Sequence, residues 1–286
     1  MTEPETRTLD VPDAELYYDV RSNEFSTQPV LLLAGCPMGA SGFGTLAGHF
    51  ADRTVVTYDP RGAERSKRTD GASWGTPDEH ADDLRRLIST LGAGPVEIFG
   101  SSGGAVNALA LVAKHPELVR TLVAHEPPAA QELPDREAVL AACATIQQMY
   151  QRVGFGPAMA KFVALVTSEG PVPDGFADQP APDPAAFGLP AGDDGSRDHP
   201  LLGRHMTLCT GYQHDFGALR AAPVRIVAGV GEESIKLMPG RAAIAVAERL
   251  GTTPVTFPGG HGGFLSGAPG GKPEAFADTL RKVLSD

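Results

Sequence analysis

Short apolar runs that alternate with amphipathic helical patterns govern what this 286-residue chain folds into. Val30 to Leu33 is one such run, emptying into Gly35; Arg53 to Asp59, Pro95 to Gly100 and Leu118 to Ala124 are others. Val224 to Ala228 and Pro254 to Phe257 continue the series towards the C-terminus. Between them the period changes. Across Thr76 to Leu91, the residues Ala81, Leu84, Leu87, Ile88 and Leu91 fall on one helical face, and Thr76-Pro77-Asp78-Glu79 supplies an N-cap, a first-turn proline and favourable acidic charge. Helices are likewise expected over Ser41 to Phe50, Gly103 to His115, Arg241 to Leu250 and Pro273 to Leu284. Strands separated by helices return parallel to one another, so the fold class is α/β, a mostly parallel sheet flanked by helices on both faces.

One long stretch breaks the alternation. From Pro127 to Asp215 the chain carries two helical patterns, Arg136 to Tyr150 and Gly156 to Ser168, and a Pro/Gly/Asp-rich tract from Pro171 to Pro200, with no convincing strand. The expected organisation is one core, residues 1–126 and 216–286, with a mainly helical cap, residues 127–215, inserted over the sheet. Ligands of open parallel sheets bind beyond the carboxyl ends of the strands, where such a cap sits.

Charge narrows the partners. With 24 basic against 35 acidic side chains and a net charge of −11, the chain lacks the clustered cations that bind nucleic-acid backbones or anionic membrane surfaces, and neither partner is expected. Met1 to Asp10 holds Glu3, Glu5 and Asp10 and no apolar core of a secretory signal, and no run approaches the ~20 apolar residues of a membrane span, so the cytoplasm is the expected location. Cys36, Cys143 and Cys209 are odd in number and far apart, which favours reduced thiols over a disulfide framework.

The most specific chemical signal is Gly100-Ser101-Ser102-Gly103-Gly104, a G-x-S-x-G pattern. It follows the strand PVEIF and opens the helix AVNALALVAKHPE, the strand-turn-helix setting in which the central serine is held in a strained conformation and its neighbours must be tiny. Ser102 is therefore the candidate nucleophile, with the backbone N–H of Gly103 available to an oxyanion, and Ser101 a bystander.

On these motifs the chain, outside the insertion, resembles the α/β-hydrolase superfamily. Leu31-Leu32-Leu33-Ala34-Gly35-Cys36 is similar to that family's oxyanion strand, with Ala34 where histidine is usual, and Tyr58-Asp59-Pro60-Arg61-Gly62 is similar to its D-x-R-G turn, with Glu64 in place of a common glycine. The resemblance implies the α/β-hydrolase fold and a second oxyanion donor in the backbone N–H of Cys36. No base is evident beside Cys36 in the sequence, so its thiol is not assigned a reactive role. Arg61 is expected to anchor structure.

The resemblance also implies a histidine after the last strand. His261 in Pro258-Gly259-Gly260-His261-Gly262-Gly263-Phe264 fills that place, whereas His49, His80 and His115 occupy helical or helix-stopping positions. Relatives mostly carry the acid after the penultimate strand in a turn such as G-x-x-D; here the turn is Gly231-Glu232-Glu233-Ser234, with serine where aspartate aligns. Leu122 to Pro128, by contrast, ends a strand with Glu126 followed by two prolines, which resembles hydrolases whose acid follows the sixth strand, the zearalenone lactonases among them. Glu126 is favoured as the acid that orients His261, with Glu232 and Glu233 as alternatives.

These readings converge on a serine hydrolase that cleaves carboxylic esters or lactones through an acyl-enzyme on Ser102, needing no cofactor and taking a small-molecule substrate. The alternatives are a catalytically silent small-ligand binding protein of the same fold and a cofactor-free perhydrolase. His199, His205, Cys209, His214 and Asp215 crowd together, but their spacings match no compact zinc pattern, and no metal is assigned. Met38, Met149, Phe155, Met159, Phe162 and Met206 are expected to pack the core and cap, some of them lining an acyl pocket.

Overall fold

The computed structural model describes residues 3–72 and 74–285. The strands are β1 (Glu5–Val11), β2 (Ala14–Arg21), β3 (Leu31–Ala34), β4 (Val55–Tyr58), β5 (Lys67–Arg68), β6 (Val96–Ser101), β7 (Val119–His125), β8 (Arg225–Gly231) and β9 (Val255–Phe257). They form one sheet in the order β1-β2-β4-β3-β6-β7-β8-β9, with β5 pairing β2. From β4 to β9 every neighbour is parallel, while β1, β2 and β5 add antiparallel pairs at one edge. The chain leaves β3 for β4 on one side and later lays β6 on the other. This reversal is a topological switch point, and the loops that follow β3 and β6 face each other across it.

The helices are α1 (Gly44–Gly48), α2 (Pro77–Leu91), α3 (Gly103–Lys114), α4 (Arg136–Val153), α5 (Phe155–Thr167), α6 (Met206–Thr210), α7 (Phe216–Ala221), α8 (Met238–Leu250) and α9 (Pro273–Ser285). Strand alternation sorts them. On β3, Leu32 and Ala34 point into a core shared with α2, α3 and α7, whereas Leu31 and Leu33 join Phe43, Leu46, Phe276 and Leu280 from the α1 and α9 side. The start of α2 is fixed as its sequence implies: Thr76 Oγ1 accepts from Glu79 N, and the Glu79 carboxylate accepts from Thr76 N.

Local departures from the sequence reading have physical causes. The helix expected over Ser41 to Phe50 is a 3₁₀ turn, Ala40–Phe43, followed by the single turn of α1, because Gly42, Gly44 and Gly48 depress helix propensity. β8 runs on to Gly231 rather than stopping at Ala228; a Cβ at Gly229 would lie 2.9 Å from the Phe257 ring, so the glycine lets this aromatic close over the strand. Between β7 and β8, α4 and α5 pack with Leu202, Met206 and Met238 into a third apolar cluster. Residues 171–199 hold only short 3₁₀ turns, at Phe176–Asp178 and Pro184–Phe187. No described helix is long and apolar enough to cross a membrane.

Candidate active site

Ser102 closes β6 and caps α3 with φ 57° and ψ −127°, a left-handed conformation that costs a non-glycine residue about 1–3 kcal/mol. Close packing imposes it. A Cβ on Gly104 would sit 2.2 Å from the Ala34 carbonyl oxygen, so only glycine lets α3 start this near β3. Ser102 N donates to the carbonyl of His125 at 3.0 Å, and the Ser102 carbonyl accepts from Ala105 N at 3.0 Å, which ties the turn both to β7 and to the first turn of α3.

Glu126 is the next residue after β7 and also has positive φ, 47°. Its side chain is wholly buried. Nδ1 of His261 lies 2.7 Å from Glu126 Oε2, while Oε1 accepts from Gly231 N at 2.8 Å and from Ser234 Oγ at 2.5 Å. Burial pushes the Glu126 carboxyl up, but the His261 hydrogen bond, the nearby His125 and His261 rings and the Ser234 hydroxyl outweigh it and hold the group at about 2. An ionised carboxylate only accepts, so Nδ1 of His261 is the donor of this hydrogen bond.

Ser234 occupies the place where relatives usually carry the acid. Here it donates to Glu126 at the neighbouring strand end. A Cβ on Gly231 would be 2.7 Å from Ser234 Oγ and 2.8 Å from the Gly259 carbonyl oxygen, which explains the glycine at the crossing of these loops. Glu232 and Glu233 turn away: both pair with Lys272, Glu233 at 3.1 Å, with roughly half of each side chain exposed. Glu232 also accepts from Gly259 N at 3.2 Å and so braces the loop that carries His261. Behind the site His125 is buried among Phe99, Phe257, Phe264 and Phe276, and burial holds its imidazole down at about 4.

The Glu126 environment makes a stability statement. Its pKa falls from 4.5 in the unfolded chain to about 2, so its contribution of about 3 kcal/mol is present above pH 4.5 and lost as pH drops through 2. The difference in unfolding free energy between the protein and its Glu126→Gln variant is accordingly expected to change by that amount between pH 6 and pH 2, measured by urea titration. Parallel pH profiles for the two proteins would show that the carboxylate is not held in this way.

A cavity of about 230 Å³ opens beside Ser102 and His261, with Cys36 and Gly103 in its wall. Phe162, Leu165, Val166, Leu201, Met206 and Met238 give it apolar sides. Its described lining contains no carboxylate, lysine or arginine. Of the residues singled out for an acyl pocket, Phe162 and Met206 reach it, while Met149, Phe155 and Met159 pack the cluster around α4 and Met38 the core near α1. His205 was legible only as part of a crowded run. It reaches the cavity through a wide π-type turn, Leu201–His205, that leads into α6.

Other sequence-stretch candidates take structural posts. Arg61 is clamped by Asp83, Nε to Oδ2 at 2.6 Å and Nη2 to Oδ1 at 2.5 Å. Glu64, at positive φ where a glycine is common, accepts from Gly39 N at 2.9 Å and from Ser41 Oγ at 2.9 Å, fastening the loop after β3. The run from His199 to Asp215 does not converge: His199 receives the Leu202 N–H at 3.3 Å and Asp215 caps α7. All three cysteines are free and buried.

A family model described as the alpha/beta hydrolase fold matches residues 28–169. An uncharacterized hydrolase, YraK, of Bacillus subtilis (strain 168) is 31% identical over 264 residues, 90% of this chain and 89% of that protein. Among solved structures, a thermophilic esterase from Thermogutta terrifontis superposes with a TM-score of 0.67 at 19% identity, covering 99% of this chain and 98% of that one. The enol-lactonase from Burkholderia xenovorans LB400 gives 0.60 at 15% identity over 98% and 100% of the two chains, respectively. At such identities the structural matches speak for the fold, and YraK carries the relationship along nearly the full length. The chain belongs to the α/β-hydrolase fold family.

Proposed function

We propose that the protein is a serine hydrolase of neutral carboxylic esters or small lactones. The observation that carries the proposal is the hydrogen-bonded Glu126–His261 pair beside Ser102 at the mouth of an apolar cavity. In this reading Nε2 of His261 takes the proton from Ser102 Oγ as the oxygen attacks the substrate carbonyl carbon, and the backbone N–H groups of Cys36 and Gly103 hold the oxyanion. His261 then returns the proton to the departing alkoxide. Water, deprotonated by the same nitrogen, releases the acid from Ser102. Glu126 keeps the imidazole in the required tautomer and stabilises its charge. The helical segment, residues 127–215, acts as the cap that supplies most of the apolar wall.

The cavity argues for the substrate class. A charged group buried without a partner costs several kcal/mol, and these walls hold no carboxylate, lysine or arginine. A cavity of about 230 Å³ lies below the roughly 300–1,000 Å³ of pockets for drug-sized ligands, which favours compact acyl groups over long chains or aromatic macrolactones. The likeness of the Glu126 arrangement to zearalenone lactonases thus concerns the acid, not the substrate size. The names of the Thermogutta esterase and the Burkholderia enol-lactonase agree with ester or lactone chemistry.

A panel of esters and lactones tests this. Neutral short-chain acyl esters are expected to give kcat/KM about 100-fold or more above half-esters of dicarboxylic acids with the same leaving group. Equal rates for the charged and neutral series would contradict the proposed acyl site.

A further inference from the structure

Beside the Cys36 backbone lies a constellation that ester hydrolysis does not use. Cys36 from the loop after β3, His80 from α2 and His205 from the turn before α6 converge, all three buried. Sγ of Cys36 is 3.3 Å from Nε2 and 3.6 Å from Nδ1 of His205, and 3.7 Å from Nε2 of His80. The candidate donor atoms lie within 4.8 Å of one another. A tetrahedral Zn²⁺ with Zn–S of ~2.3 Å and Zn–N of ~2.0–2.1 Å sets its sulfur and nitrogen ligands about 3.5 Å apart. The Sγ–Nε2 spacings to His80 and His205 bracket that value, and a turn of the His205 ring, whose two nitrogens lie almost equally far from Sγ, aims one lone pair at a shared ion.

Their present bonding leaves them underused. Thiol contacts to ring nitrogens are weak hydrogen bonds. His80 Nδ1 has no hydrogen-bond partner among the described residues. The Arg61 charge nearby is matched by Asp83.

We propose that Cys36, His80 and His205 form an inhibitory Zn²⁺ site. The Cys36 S–H bond breaks, its proton leaves to solvent, a sulfur–zinc bond forms, and one nitrogen of each imidazole donates a lone pair. The fourth position takes a water from the cavity that Cys36 and His205 line. Bound there, the ion fixes the residue whose N–H is the proposed oxyanion donor and intrudes on the acyl site. Metal binding stands on these three side chains alone, whereas the inhibition rests on the ester-hydrolase reading above.

Co²⁺, whose spectrum reports its ligands, tests the site on the purified full-length chain. The expected result is one Co²⁺ per chain, with the intense visible bands of tetrahedral cobalt and a thiolate-to-cobalt charge-transfer band, all displaced by Zn²⁺. Cys36→Ser removes the charge-transfer band, and His80→Asn weakens binding about tenfold or more while basal ester hydrolysis is kept. No charge-transfer band in the unmodified chain, or one that survives in Cys36→Ser, overturns the site. Ser102→Ala is expected to bind Co²⁺ as the unmodified chain does, so the site is tested even if no ester is turned over. Zn²⁺ bound with hydrolysis undiminished overturns the inhibitory role.

Discussion

Replacing Ser102 with alanine is expected to lower kcat for a neutral aryl ester by about 10⁴-fold or more, with the fold intact. The size of the effect follows from the proposed route: without Oγ no acyl-enzyme forms, and what survives is the binding and oxyanion stabilisation offered to water. The fold survives because the elbow is held by backbone hydrogen bonds from Ser102 N to His125 and from Ala105 N to Ser102, which alanine keeps. Activity within tenfold of the unmodified protein, with matching circular dichroism, would remove Ser102 from the chemistry.

The second large effect separates two places for the acid. Glu126→Gln is expected to cost about 10²–10⁴-fold in kcat, because glutamine preserves the shape but presents no charge to His261 and no longer dictates which ring nitrogen carries the proton. Glu233→Gln is expected to stay within about twofold, since that side chain is half exposed and paired with Lys272. Steady-state kinetics on the two variants decides between them. A comparable loss in both, or a loss in Glu233→Gln alone, would move the acid to the loop after β8.

What the sequence made legible were features written in consecutive residues. The Ser102 turn is local, because small neighbours, a preceding apolar strand and a following helix lie within a few positions of each other, and the glycine loop around His261 is equally compact. Glu126 was readable as a carboxylate at a strand end. Its partners were not: Ser234 and Gly231 reach it only because β7 and β8 are neighbours in the sheet, a pairing between residues more than a hundred apart in the chain. The same reason hid the Cys36, His80 and His205 cluster. Of the crowded run from His199 to Asp215, whose spacings match no zinc pattern and which the π-type turn and α6 pull apart, only His205 joins that cluster. The helix expected after Gly39 shortened where glycines made it costly, and this shortened stretch follows directly on the loop that carries Cys36.

An activated serine at Ser102 is the central claim, and a fluorophosphonate probe with peptide mapping by mass spectrometry tests it most directly. The account predicts rapid, stoichiometric modification of Ser102, slowed about 100-fold or more in His261→Ala, because the probe reacts with a serine only where a base draws off the hydroxyl proton. A chain that stays unlabelled, or one labelled elsewhere, would contradict it and favour a hydrolase fold that binds a small ligand without turning it over.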